Sequence, residues 1–221
     1  MRIGIIGAGN IGGNLTRRFT KLGHEVFVAN SRGPETLKPL VSETGARAVT
    51  PTEAVHQSDV VIVAIPEKSI KDLPRNLFAG VKDDVPVVDT GNYYPQQRDG
   101  RIDAIEDGVT ESRWVSQQLH RPVVKAFNNI YAEHLLSKGT AKGASHRIAL
   151  PVAGDDKVAK TTVLQLIDEL GFDGVDAGDL DDSWRQQPGT PVYGSDFDAI
   201  GVKAALSKAS KQRPPEFRAK K

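Results

Sequence analysis

The chain has 221 residues, 38% hydrophobic and 26% charged, with no cysteine, which excludes disulfides, thiolate nucleophiles and cysteine-held metal centres. Its 29 Lys and Arg against 28 Asp and Glu give a net charge of +1, so composition predicts no nucleic-acid partner. A mean hydropathy of −0.36, with no apolar run near the ~18–20 residues of a membrane span, predicts no membrane partner either. The opening Met1-Arg2-Ile3-Gly4-Ile5-Ile6-Gly7 is short and glycine-broken and has no cleavage site, unlike a signal peptide. The expectation is a cytoplasmic globular protein.

Short β-branched runs alternate with helical patterns along most of the chain. The spacing predicts strands at Arg2–Ile6, Glu25–Ala29, 59–65, 85–89, 123–126, 148–153 and 172–175. Most are continuously apolar, which suits strands covered on both faces of a parallel sheet. Residues 10–22 follow the first strand with Ile11, Leu15, Phe19 and Leu22 on one helical face. Thr52-Glu53-Ala54-Val55 reads as a short helix after Pro51, and 155–170 as a longer one stopped by Gly171. Such alternation predicts an α/β fold: a Rossmann-type, doubly wound, mainly parallel sheet with a small C-terminal helical segment. Two stretches break the rhythm. Residues 91–108 are too long for a plain connection and are expected to be functional or mobile. Past about Ala177 the alternation stops until a last helix near 199–209. From 203 to 221 there are seven basic residues and one acidic residue, Glu216, and the expectation is a solvated, partly disordered tail.

The first strand runs into Gly7-Ala8-Gly9-Asn10-Ile11-Gly12, a G-x-G-x-x-G sequence that opens the first helix and leads to a second strand ending at Asn30. That context marks a dinucleotide fingerprint. Gly7 allows the tight turn, Gly9 lets backbone approach a pyrophosphate, and Gly12 lets helix and strand pack closely. Helix N–H groups then face the phosphates. The second strand ends in Asn30-Ser31-Arg32, without the carboxylate that an NAD ribose would want. A hydroxyl and a guanidinium there favour a 2′-phosphate, and Thr36 is expected to add a donor. The expected cofactor is NADP.

Ala64-Ile65-Pro66 ends another strand at the carboxyl edge, where open α/β sheets bind ligands, and Pro66 either turns the chain across the cofactor, against the nicotinamide ribose, or simply terminates the strand. Asn92, in Asp89-Thr90-Gly91-Asn92-Tyr93-Tyr94-Pro95, and Asn128, in Lys125-Ala126-Phe127-Asn128-Asn129, share that edge. The tyrosines either wall an aromatic ring or cap the core. The amides either meet a carboxamide or second planar cofactor, or satisfy the next helix. The five histidines lack ligand spacing, so no metal is expected. No catalytic acid, base or nucleophile stands out.

At these residues the chain resembles the deazaflavin (coenzyme F-420)-dependent NADP reductases, which pass hydride between a reduced deazaflavin and NADP. The likeness covers roughly residues 1–180. It rests on the glycine turn with Asn10, Leu22-Gly23-His24-Glu25, Ser31-Arg32, Ala64-Ile65-Pro66 and Val123-Val124. Further along it rests on Leu150-Pro151-Val152-Ala153-Gly154-Asp155-Asp156 and on Asp176-Ala177-Gly178 with Leu180. It implies a Rossmann-like domain at 1–180 and a small helical segment with a basic tail at 181–221. It also implies a homodimer, NADP contacts from the glycine turn and Ser31-Arg32, and Pro66 near the nicotinamide. The function expected is hydride transfer between NADP(H) and a planar small-molecule donor or acceptor. The alternatives are a non-catalytic NADP(H) sensor and a reductase of small imines or carbonyls.

Overall fold

The protein was studied as a computed structural model that describes residues 1–220. Six strands, β1 (Arg2–Ile6), β2 (Glu25–Ala29), β3 (Arg47–Ala48), β4 (Val60–Val63), β5 (Val87–Asp89) and β6 (Val124–Lys125), form one sheet in the order β3-β2-β1-β4-β5-β6. Every ladder in it is parallel, and the reversal of order between β1 and β4 makes the Rossmann crevice. A separate parallel pair, β7 (Ala149–Val152) and β8 (Asp173–Asp176), joins β6 through one antiparallel bridge between Lys125 and Ala153. Its two backbone hydrogen bonds are 2.8 and 3.1 Å long.

Among the described residues, eight α-helices flank these strands: α1 (Asn10–Lys21), α2 (Lys38–Thr44), α3 (Pro51–His56), α4 (Asp103–Glu106), α5 (Glu111–Leu119), α6 (Ala132–Ser137), α7 (Lys157–Glu169) and α8 (Ala199–Ser207). Local chemistry starts several of them. Thr50 and Glu53 form a reciprocal capping box on α3, and Asp156 accepts from the N–H groups of Val158 and Ala159 to begin α7. Among the described residues, no helix is long and apolar enough to cross a membrane. One core layer packs Ile3, Ile5, Val60 and Ile62 against Leu15 and Phe19 of α1 and Val163 and Ile167 of α7. The other packs Val61, Val63 and Val87 against Trp114 and Val115 of α5. Each fully buried branched side chain contributes roughly 1.5–3 kcal/mol, so both sheet faces are tightly held. β3, α2, α5 and α6 are short or polar and escaped the periodicity reading.

Two expectations need correction or completion. Residues 91–108 form an ordered surface connection, with a π-type turn at Pro95–Asp99 and Tyr93 fully buried. The tail expected to be solvated instead folds back on the body. Gln96 donates to the carbonyls of Pro215 (3.0 Å) and Arg218 (2.8 Å), and Glu106 accepts from the N–H of Ala219 (2.9 Å). The basic side chains of Lys203, Lys208, Lys211, Arg218 and Lys220 stay exposed as expected, and it is the backbone that these hydrogen bonds tie down. Lys221, the last basic residue of that tail, lies outside the described residues.

Candidate functional site

The turn from β1 into α1 gives its three glycines different duties. Gly7 has φ +108°, which L side chains avoid, and a Cβ there would stand 2.2 Å from the Ala64 carbonyl oxygen. At Gly12 a Cβ would stand 1.9 Å from the Gly7 carbonyl oxygen, so glycine lets α1 press against the turn. Gly9 differs. Its φ −75° and ψ −163° are ordinary extended backbone, and an added Cβ would meet nothing within 4 Å. The fold itself does not need glycine at 9, and the open space before it fits a phosphate. α1 starts there with no side-chain cap and no acid in its first turn, so its N–H groups and dipole favour an anion.

A cleft of about 740 Å³ joins Gly7 and Gly9 to Asn30, Ser31, Arg32, Ala64, Ile65 and Pro66. Three strand ends, those of β1, β2 and β4, bring these residues together. Asn30 shapes the loop after β2: its Oδ1 accepts from the Arg32 N–H (3.0 Å), and its Nδ2 donates to Thr36 Oγ1 (2.8 Å). The exposed guanidinium of Arg32 forms no ion pair within the described residues. Thr36 is not a free donor, because its single hydroxyl proton goes to the Gly33 carbonyl (2.8 Å). It lies in a 3₁₀ turn, Pro34–Leu37, rather than in a helix. Asn10, Ile11 and Gly12 form the first turn of α1 behind the cleft, with Ile11 packed on the core.

Asn92 and Asn128 do not line that cleft. Asn128 Nδ2 donates to Asn92 Oδ1 (3.0 Å) and to the Gln186 carbonyl (2.7 Å), and Asn92 Nδ2 donates to the Asn128 carbonyl (2.9 Å). Gln186 Nε2 returns a bond to Asn128 Oδ1 (2.9 Å). These amides form a knot across the ends of β5 and β6, and both Asn128 amide protons are spent within it. The Asn128 amide is thus held within the knot and does not meet the next helix. Tyr93 caps the core, whereas half-buried Tyr94 shares a hydroxyl hydrogen bond with Tyr193.

A buried ionic layer lies beside the knot, and the sequence reading missed it. Lys125 Nζ donates to Asp89 Oδ2 (3.0 Å) and to the Gly91 carbonyl (2.6 Å), with both charged side chains 1% exposed. Ser112 Oγ donates to the same Asp89 oxygen (2.6 Å). Glu111 Oε1 accepts from Arg213 (3.1 Å), and its Oε2 accepts from the Tyr93 N–H (3.2 Å). Glu67 is fully buried with neither carboxyl oxygen partnered. Its Oε1 lies 2.6 Å from where a Cβ on Gly91 would be. Burial, then the nearby Asp89 carboxylate, push Glu67 well above the usual carboxyl range, against the opposite pull of Lys125. Burial also raises Glu111. Burial opposes the charge on Lys125, but Asp89 and then Glu67 and Glu111 outweigh it and raise its pKa. Burial pushes the Tyr93 phenol up to about 12. The available signal was a charge inside an apolar strand, Val123-Val124-Lys125-Ala126; its partner is visible only once β5 and β6 are adjacent.

Comparison with known proteins follows the same geometry. A family described as NADP oxidoreductase, coenzyme F420-dependent, matches residues 2–93, which contain β1 to β5 and the whole cleft. The Escherichia coli K12 protein YjhV is 40% identical over 70 residues, 32% of this chain and 51% of that protein. The chain thus spans about half the length of this curated relative. The solved structure of SMa0349 from Sinorhizobium meliloti is 34% identical, with a TM-score of 0.75, covering 89% of this chain and 94% of that one. An Arthrobacter sp. FB24 protein, provisionally named an F420-dependent NADP reductase, shares the fold at 22% identity and a TM-score of 0.63, over 80% and 84% of the two chains. Its glycine turn, its strand order and these matches agree: residues 2–93 match the family described as NADP oxidoreductase, coenzyme F420-dependent, and most of the chain is related to SMa0349.

Proposed function

We propose that the protein transfers hydride between NADP(H) and a flat, conjugated small molecule, with a deazaflavin as the leading partner and a flavin behind it. The cleft carries this reading, with an anion-ready helix start at one end and the unpaired Arg32 at the other. Gly9 and the first turn of α1, Asn10 to Gly12, bind and orient negative charge. Ser31 and Arg32 select NADP over NAD, because a guanidinium pairs with a 2′-phosphate through a charge-assisted fork. Asn30 holds that loop in shape, and Ala64, Ile65 and Pro66 wall the route toward the nicotinamide end. Bound there, the dinucleotide supplies the hydride chemistry.

A ring-to-ring transfer needs mainly stacking and orientation. That suits a site edge whose carboxyls are buried or paired, as Glu67, Asp89 and Glu111 are. The family's description favours deazaflavin as the partner. The same reading gives residues 1–180 to NADP binding and 181–221 to the partner's half of the site, in a cytoplasmic homodimer.

Stopped-flow mixing of protein and NADPH with deazaflavin, flavin and small carbonyl panels tests it. Rapid oxidation by a flat acceptor is expected; tight NADPH binding without any turnover would favour the sensor instead. In the same series Arg32→Ala is expected to weaken NADPH roughly 10-fold or more while sparing NADH. Equal losses for both cofactors would refute the 2′-phosphate assignment.

A further inference from the structure

Glu111 is a carboxylate 3% exposed at the start of α5, and its counter-charge arrives from 102 residues further along the chain. Arg213, its side chain only 12% exposed, bonds Glu111 at 3.1 Å and Gln187 Oε1 at 3.3 Å. Its guanidinium also lies 5.2 Å from the Tyr93 ring centroid. The other oxygen of the Glu111 carboxylate, Oε2, accepts from the Tyr93 N–H, and Tyr93 follows Asn92 of the amide knot. Around this centre the tail makes parallel contacts with one loop. Gln96 bonds the Pro215 and Arg218 carbonyls, Phe217 lies 6.2 Å from the Tyr94 ring, and Pro214 crowds Gly189.

The physical consequence is coupling. A buried carboxylate without a cation is strongly unfavourable, so docking of the tail and order in residues 92–99 stabilise each other. These contacts lie at the ends of β5 and β6, away from the glycine turn and Arg32. We propose that Arg213 is a positioning residue: by docking the tail on Glu111, Gln187 and Tyr93, it fixes residues 92–99 against the 181–221 segment that forms the hydride partner's half of the site. This rests on the function proposed above.

The test compares the full-length protein with Arg213→Ala, Arg213→Lys and the double variant Arg213→Ala/Glu111→Gln. NADPH titration, turnover with deazaflavin and backbone hydrogen exchange in residues 92–99 are read together. In Arg213→Ala, NADPH affinity is expected to stay within about twofold, kcat to fall about 10-fold, and exchange in 92–99 to rise about 10-fold. Arg213→Lys is expected to recover part of both, since it returns the charge without the fork. The double variant is expected to recover Tm but not exchange protection in 92–99, because the buried charge is relieved while the docking guanidinium is still missing. Wild-type kcat and exchange in Arg213→Ala would overturn the proposal. So would parallel loss of NADPH affinity and Tm, the mark of a purely structural role. If Arg213→Ala does not fold, the same split or its absence is scored on Arg213→Lys. Absence of wild-type turnover with every flat acceptor would defeat the functional reading, and would with it remove the effect of Arg213 on turnover, while unchanged exchange alone would defeat the docking.

Discussion

Glu67 is where a single residue carries the largest uncompensated cost. Both carboxyl oxygens are buried without partners, and burial together with Asp89, Glu111 and Asp99 outweighs the attraction of Lys125 and raises its pKa. The folded state therefore keeps its proton at pH values where the unfolded chain, with a pKa of about 4.3, has released it. More protons bound in the folded state means that stability falls as pH rises between the two pKa values, by up to about 1.4 kcal/mol per pH unit. Glu67→Gln removes that contribution. The stability difference between variant and wild type is expected to grow in the variant's favour from pH 5 upward and then level off above the folded pKa. Urea unfolding across pH 5–8 measures it, and a difference independent of pH would show that Glu67 is ionised in the folded protein.

At the scale of the element, the β1–α1 turn separates what glycine does for the fold from what it does for a ligand. Gly12→Ala drives a Cβ to 1.9 Å from the Gly7 carbonyl, a backbone clash that no rotamer relieves. A loss of about 2 kcal/mol or more is expected, read by thermal unfolding without cofactor. Gly9→Ala meets nothing within 4 Å and occupies ordinary extended backbone, so its cost is held within about 1 kcal/mol, set by the poorer helix cap. Yet it fills the space before the α1 N-terminus, and NADPH affinity is expected to fall about 10-fold or more. Titration and unfolding on the same two variants check the crossover. The need for glycine at 7 and 12 was legible in the sequence as a turn motif, although the Ala64 carbonyl that crowds Gly7 comes from a distant strand end. Thr36 was not, since its hydroxyl is spent on Gly33 in a turn that spacing did not reveal.

Across the whole molecule, Lys125 joins the six-stranded sheet to the outer pair. Its side chain neutralises Asp89 of β5, and its backbone bridges Ala153 beyond β7. Lys125→Met leaves a carboxylate 1% exposed without a cation, and about 3–5 kcal/mol of destabilisation is expected. Adding Asp89→Asn should restore much of that loss, and a double-mutant cycle in denaturant reads the coupling. The same scale explains the tail. Its basic composition pointed to solvent, but Arg213 meets Glu111 and Gln187 only after α5 and the 180–190 region are in place.

The sequence by itself determined the strand–helix alternation, the parallel sheet and the glycine turn with Ser31-Arg32 beyond it. Those features depend on periodicity, backbone freedom and charge within short windows, which local physics sets. Only the tertiary structure decided the rest: Asn92 with Asn128, Asp89 with Lys125, Glu111 with Arg213, and the isolation of Glu67. Each depends on which strand ends become neighbours and on how far burial strips water from a charge. Neither quantity exists until the chain has closed on itself.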